Sequence, residues 1–286
     1  MRPMRPMTLL MLLAALTAAP ALAQVADHPP QSPLVVAIDI GYAPFAMKNT
    51  AGGAEGFNID IARELTRRLK RPNLEIVDTR FNVILAGLYS KRYEMIMAPI
   101  FITEQRSKEM LFTEPYIDSG TGFVYRKTDK FKTLEDLRGK RMTVSTGTVQ
   151  DRWLTEHAEK FKFTIQRYNE NADGVQAVLT NRADVNVAAV QVAKYAAARQ
   201  PRLESKIALA DGNRFGFALR KESAAFRAEV DRQLECMKQD GTLGRIYEKW
   251  FNEAPAADSS SVKTYPGAGM PGLEGHDAAG SKTACS

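Results

Sequence analysis

Two stretches of this chain repeat the same grammar of short apolar run, helix-spaced segment and second apolar run, and that repetition restricts the fold more than any other feature. In the first stretch, Leu34-Val35-Val36-Ala37-Ile38 has the length of a buried strand. Asp39 ends it, and the loop Gly41-Tyr42-Ala43-Pro44-Phe45 follows. Phe57, Ile61, Leu65 and Leu69 recur every four residues and predict a helix, with Asn58 as its cap. Leu74 to Val77 predicts a strand, Val83 to Tyr89 a helix and Met95 to Ala98 a third strand. The second stretch opens at Leu134 to Lys140, a short helix stopped by Gly139. A strand over Arg141 to Val144 runs into Ser145-Thr146-Gly147-Thr148 and a helix from about Gln150 to Phe161. Strand, helix and strand then recur at 163–167, 173–179 and 184–187. A strand at Phe215 to Leu219, an amphipathic helix at Ala224 to Lys238 and a last helix ending at Trp250-Phe251 complete the body. Alternation of this kind predicts an α/β protein with mainly parallel sheets flanked by helices.

The ends read differently. Arg2 and Arg5 precede the apolar run Thr8 to Ala19 and the sequence Ala21-Leu22-Ala23, the pattern of a secretory signal peptide over 1–23 cut after Ala23. The apolar run is too short for a membrane span, which takes about 20 residues. Residues 24–33 read as a flexible leader, and 254–286, rich in Ala, Ser, Pro and Gly, as a flexible tail too poor in apolar residues to offset its ordering entropy. Cleavage removes Arg2 and Arg5, so the formal net charge falls from +6 to +4, and this dispersed basicity points to no nucleic acid partner. The two cysteines, Cys236 and Cys285, are too few for a disulfide scaffold or a structural zinc site. They either pair, tying the tail back in an oxidising compartment, or stay free. Three histidines far apart in sequence predict no metal centre.

The motifs Asp39-x-x-Tyr42-Ala43-Pro44-Phe45, Gly56-Phe57-Asn58-Ile59-Asp60, Ile102-Thr103-Glu104-Gln105-Arg106, Phe112-Thr113-Glu114-Pro115-Tyr116, Leu137-Arg138-Gly139-Lys140, Asn181-Arg182-Ala183-Asp184 and Asp240-Gly241-Thr242-Leu243 stand in one order over residues 34–252. In that order they resemble the polar amino-acid type of periplasmic solute-binding protein that serves ABC importers, bacterial extracellular solute-binding protein family 3. The resemblance implies a two-lobed type II periplasmic-binding-protein fold with two hinge crossovers, closing on its ligand like a trap. Lobe 1 would comprise 34–124 plus 213–253 and lobe 2 residues 128–209, with crossovers near 125–127 and 210–212. It implies a monomer without cofactor or catalysis, whose partners are a small-molecule ligand and the importer's permease.

The same resemblance names ligand-binding positions: Arg106, Asp39, Tyr42, Phe81, Ala98, Phe101, Thr148 and Gln150. Arg106 offers a planar fork that fits a carboxylate; the plainer reading makes it a surface ion pair with Glu104 or Glu109. Thr148, where a helix begins, adds a hydroxyl beside backbone N–H groups that attract anions. Tyr42 and Phe81 match positions that sandwich the ligand's side chain, although aromatic residues also serve the core. Asp39 matches a position that meets a distal amine, and Gln150 adds a polar contact from the second lobe. Two departures stand out. The hydroxyl and the lobe-2 aspartate that hold an ammonium in the family are replaced by Phe101 and Ala189. Pro99 also removes a backbone donor. An unpartnered buried ammonium costs several kcal/mol. A carboxylate without an α-amine, another ligand, or a cleft without transport duty therefore stays open, including a periplasmic accessory of a quinoprotein (methanol-type) dehydrogenase. Dehydratases share the fold, but their proton-transfer carboxylate would fall at Gln191 or Val192, neither of which is a general acid.

Overall fold

The computed structural model describes residues 29–280 and 285. The signal peptide at 1–23 and the leader as far as 28 lie outside the described residues. From the amino end come β1 (Leu34–Ile38), β2 (Met47–Lys48), β3 (Ala54–Glu55), α1 (Phe57–Arg68), β4 (Leu74–Asp78), α2 (Phe81–Tyr89) and β5 (Met95–Phe101). Next are α3 (Glu104–Ser107), β6 (Leu111–Phe112), β7 (Ile117–Asp118), β8 (Thr121–Arg126), β9 (Arg141–Ser145), α4 (Val149–Phe161) and β10 (Thr164–Tyr168). Then follow α5 (Asn171–Leu179), β11 (Val185–Ala189), α6 (Val190–Arg199), β12 (Leu203–Leu209), β13 (Arg214–Leu219), α7 (Ala224–Gln239) and α8 (Thr242–Phe251).

Among the described residues the strands form one large sheet per lobe, besides a two-stranded ribbon of β2 and β3. In the first the order is β4-β1-β5-β13-β6, with β7 also on β13; in the second it is β10-β9-β11-β8-β12. β1 runs parallel to β4 and β5, and β9 parallel to β10 and β11. β13 and β8 are antiparallel to their neighbours because each enters its sheet from the other lobe. The chain crosses first at Ser119-Gly120, between β7 and β8, and returns at 210–213, between β12 and β13. The expected first crossover at 125–127 is thus about six residues late, and Thr121–Val124 belong to lobe 2. β8 is nearly all buried, so its apolar run reads the same in either sheet. Gly120 suits the crossing because a Cβ there would lie 2.2 Å from the Leu209 carbonyl oxygen.

Each of the two large sheets is covered on both faces. In lobe 1, α1 lays Phe57, Ile61 and Leu65 against one face while Ile84 and Leu88 of α2 cover the other. Full burial of each such side chain contributes roughly 1.5–3 kcal/mol. Lobe 2 is built likewise around Phe123, Val144, Leu154 and Val187. Asn58 is not the cap of α1. The helix starts after Gly56, and the buried Asn58 amide donates to the Met97 carbonyl (2.6 Å) and the Tyr116 hydroxyl (2.9 Å), joining helix to sheet.

The tail is the largest departure from the sequence reading. Residues 254–280 lie on lobe 1 with Ser260, Ser261, Tyr265 and Ala268 buried, and a disulfide joins Cys285 to Cys236 of α7. Low hydrophobicity misled the composition argument, since the segment is fastened by polar bonds. Tyr265 N–H donates to Glu114 (3.1 Å), Gly269 N–H to Asp231 (2.6 Å), and Lys238 to the Lys263 carbonyl (3.0 Å). These contacts also explain why α7 buries Arg227, Asp231 and Lys238 on the face its pattern assigns to water.

Candidate functional site

The loops after β1, β5 and β9 meet between the lobes, where parallel strands present their carboxyl ends. They enclose a narrow cavity lined by Asp39, Tyr42, Phe81, Ala98, Pro99, Phe101, Arg106, Ser145, Thr148, Val149, Gln150 and Phe215. All eight residues named from the sequence face this one space. Pro99 enters the sequence reading of the site only as a lost backbone donor, and Ser145, Val149 and Phe215 are absent from it. The signal for Val149 was its place beside Thr148 at a helix start, whereas Phe215 comes from a strand 114 positions after Phe101 and gives no local sign.

Arg106 is placed by α3, whose cap Thr103 accepts the Arg106 N–H through its hydroxyl (3.2 Å). The side chain is 7% exposed and lies over the Phe81 ring, 5.6 Å from its centroid. Its guanidinium donates to two carbonyls, Phe101 at 3.2 Å and, across the cleft, Gly147 at 3.4 Å. Among the described residues no carboxylate stands within ion-pair distance. Glu104 pairs with Lys108 at 3.0 Å, and Glu109 accepts from the Tyr89 hydroxyl at 3.3 Å, so the surface-pair reading of Arg106 is overturned. Burial, reinforced by the charge of Arg152, pushes the guanidinium down to about 10. A desolvated cation of this kind favours an anion beside it.

More donors converge from lobe 2. Thr148 caps α4: its oxygen accepts from Asp151 N–H (3.1 Å), and its hydrogen goes to the Ser145 carbonyl (2.9 Å). The hydroxyl is therefore spent on the cap, and what α4 offers the cavity is the N–H groups of Val149 and Gln150, which lack a partner among the described residues. Gln150 is 2% exposed, and its Nε2 has no partner among the described residues.

Asp39 is the acidic member of the lining. Its carboxylate accepts from Phe81 N–H at the start of α2 (3.1 Å), so it caps that helix while facing the cavity. Burial pushes it up to about 6, against the Phe81 bond, with Asp78 and Glu170 adding to the rise. The Tyr42 hydroxyl accepts the Ala189 N–H at 3.1 Å, which ties lobe 1 to lobe 2 at the departure noted above. Phe101 stacks on Phe215 with centroids 4.1 Å apart, making that wall apolar. Further cross-cleft bonds join Arg80 to Glu170 (2.8 Å), Asn82 to Asn169 (3.2 Å) and Gln191 to the Asp118 carbonyl (2.7 Å), so the lobes stand closed on one another.

Residues 34–253 match the profile of bacterial extracellular solute-binding proteins, family 3. The L-cystine-binding protein TcyJ of Escherichia coli K12 is 28% identical over 225 residues, covering 76% of this chain and 82% of that protein. The histidine-binding periplasmic protein of the same strain is 30% identical over 229 residues, covering 76% and 86%. Among solved structures, an ancestral arginine-binding protein bound to arginine superposes with a TM-score of 0.74 at 29% identity, over 78% of this chain and 100% of that one. The dehydrogenase-accessory reading finds no support in these relatives, and residues 254–286 lie beyond the match.

Proposed function

The chain belongs to the bacterial extracellular solute-binding proteins, family 3, which supply ABC importers, and on that premise we propose that Arg106 captures the ligand's carboxylate as the lobes close. The observation that carries this reading is a buried guanidinium in an interlobe cavity with no carboxylate among the described residues within ion-pair distance. Gln150 Nε2 and the first turn of α4 add donors from the other lobe, so a carboxylate bridges the two and rewards closure. Any positive charge on the ligand has Asp39 as its partner. Phe101, Phe215, Ala98 and Phe81 surround the remainder with apolar surface. The ligand class is an amino acid or a related small acid, consistent with relatives named for cystine, histidine and arginine.

The role proposed for the site is binding, as in the relatives named for the solutes they bind. Gln191 is engaged at the hinge and Val192 is buried in the core. The signal-peptide pattern at 1–23 and the periplasmic relative support work in the periplasm.

A thermal-shift screen of basic, polar and sulfur amino acids, their keto acids and dicarboxylates tests the reading. Ligand at about a hundred times its Kd adds roughly 2.7 kcal/mol, a rise of about 5–10 °C for a protein of this size. A flat response to every acid would end the proposal.

A further inference from the structure

The segment after residue 253 lies beyond the stretch that matches the family profile, yet several of its bonds fall on the strand that leads into the hinge. Ser261 donates to the Tyr116 carbonyl at 2.9 Å, and Lys238 joins the Pro115 and Lys263 carbonyls while pairing with Glu114 at 2.6 Å. One residue before the first crossover, Asp118 takes the Ser260 N–H on Oδ2 (2.8 Å) and the Ser260 hydroxyl on Oδ1 (2.6 Å). Ser260 itself is fully buried, and its hydroxyl also meets Tyr265 (2.9 Å). The same Asp118 Oδ1 accepts from Arg214 Nε at 3.1 Å, and Arg214 opens β13 just after the return crossover. One carboxylate thus gathers the tail and the lobe-1 roots of both crossovers. From the far side, Gln191 of α6 donates to the Asp118 carbonyl and accepts from the Ser119 hydroxyl (2.6 Å).

We propose that the C-terminal segment, locked by Cys236–Cys285, is a splint on the hinge. It holds Asp118 and Ser119 in the position that lobe 2 engages on closing. β7 is only two residues long and pairs with β13 alone, so without the splint its last residues would be ordered by closure itself. A segment ordered in advance lowers the cost of reaching the closed state, so less of the ligand's binding energy goes into it. Gly269 belongs to the same device. Its N–H reaches Asp231 where a Cβ would lie 2.1 Å from Arg227 Nη1, so the segment passes only as bare backbone. The inference rests on the closing-trap reading, but its test needs no ligand.

Hydrogen exchange is followed by mass spectrometry on the full-length, ligand-free protein, oxidised and after reduction and alkylation, and on Ser260→Ala with the disulfide intact. The splint predicts that reduction speeds exchange about tenfold or more at 114–120 and 213–217 while β1 and β9 keep their protection. Ser260→Ala reproduces the effect at 116–120 if Asp118 is the link. Faster exchange confined to 254–280, with the hinge peptides unchanged in both preparations, would overturn the proposal. Should reduction loosen the whole of lobe 1, the Ser260→Ala result decides alone. A silent solute screen would bear on Arg106 and leave this result standing.

Discussion

Asp39 sits between two demands: its carboxylate caps α2 and lines the cavity, and burial raises it from 3.8 to about 6. The folded chain therefore holds that proton more tightly than the unfolded one. The stability it contributes is complete below about 3.8 and declines as pH rises through 6. Capture of a cationic group runs the opposite way, because only the ionised carboxylate attracts it. For a basic ligand, affinity measured between pH 4.5 and 7.5 rises up to about tenfold per pH unit below 6 and levels above it. Asp39→Asn flattens that profile, whereas a ligand without positive charge shows no such rise. At this scale the sequence was informative: the eight residues named from the motifs line one cavity. What it hid was how each polar atom is used. Thr148 spends its hydroxyl on a cap, and Tyr42 spends its own on Ala189. The Tyr42 partner lies 147 positions away and leaves no local trace, whereas the Thr148 partners lie three positions to either side and mark it as a helix cap.

Among the elements, α7 carries the most unusual load. Lys238 and Glu114 form a 2.6 Å pair that is 0% and 1% exposed, roofed by the tail. Burial drives the Glu114 carboxyl up and the Lys238 amine down, each drawn partly back by the other. Lys238→Ala leaves the carboxylate buried without its cation and lowers stability by about 3–5 kcal/mol in denaturant titration. Lys238→Met with Glu114→Leu recovers only the charge part of that loss, since the Tyr265 N–H and the Pro115 and Lys263 carbonyls then lose these partners. The strand and helix alternation was legible because apolar spacing reports burial directly. The crossover and the tail were not. β8 has the same apolar run whichever sheet it joins, and the tail is held by backbone N–H groups reaching buried carboxylates, which composition does not count.

For the whole molecule, closure is written in bonds that cross the cleft, and Tyr42 to Ala189 is the most buried of them. Tyr42→Phe keeps the ring and deletes that bond, so ligand affinity falls about three- to tenfold, the net worth of one hydrogen bond. The fold brings two sheets together so that Arg106 from one lobe and the start of α4 from the other face a shared space. Isothermal titration of the acid found by thermal shift, against wild type and Arg106→Met, measures the consequence of that arrangement. The account predicts that the substitution weakens binding about a hundredfold or more. It also predicts that the melting temperature of the ligand-free protein stays unchanged or rises, because a desolvated charge has been removed. Equal affinity in a folded Arg106→Met protein would contradict it.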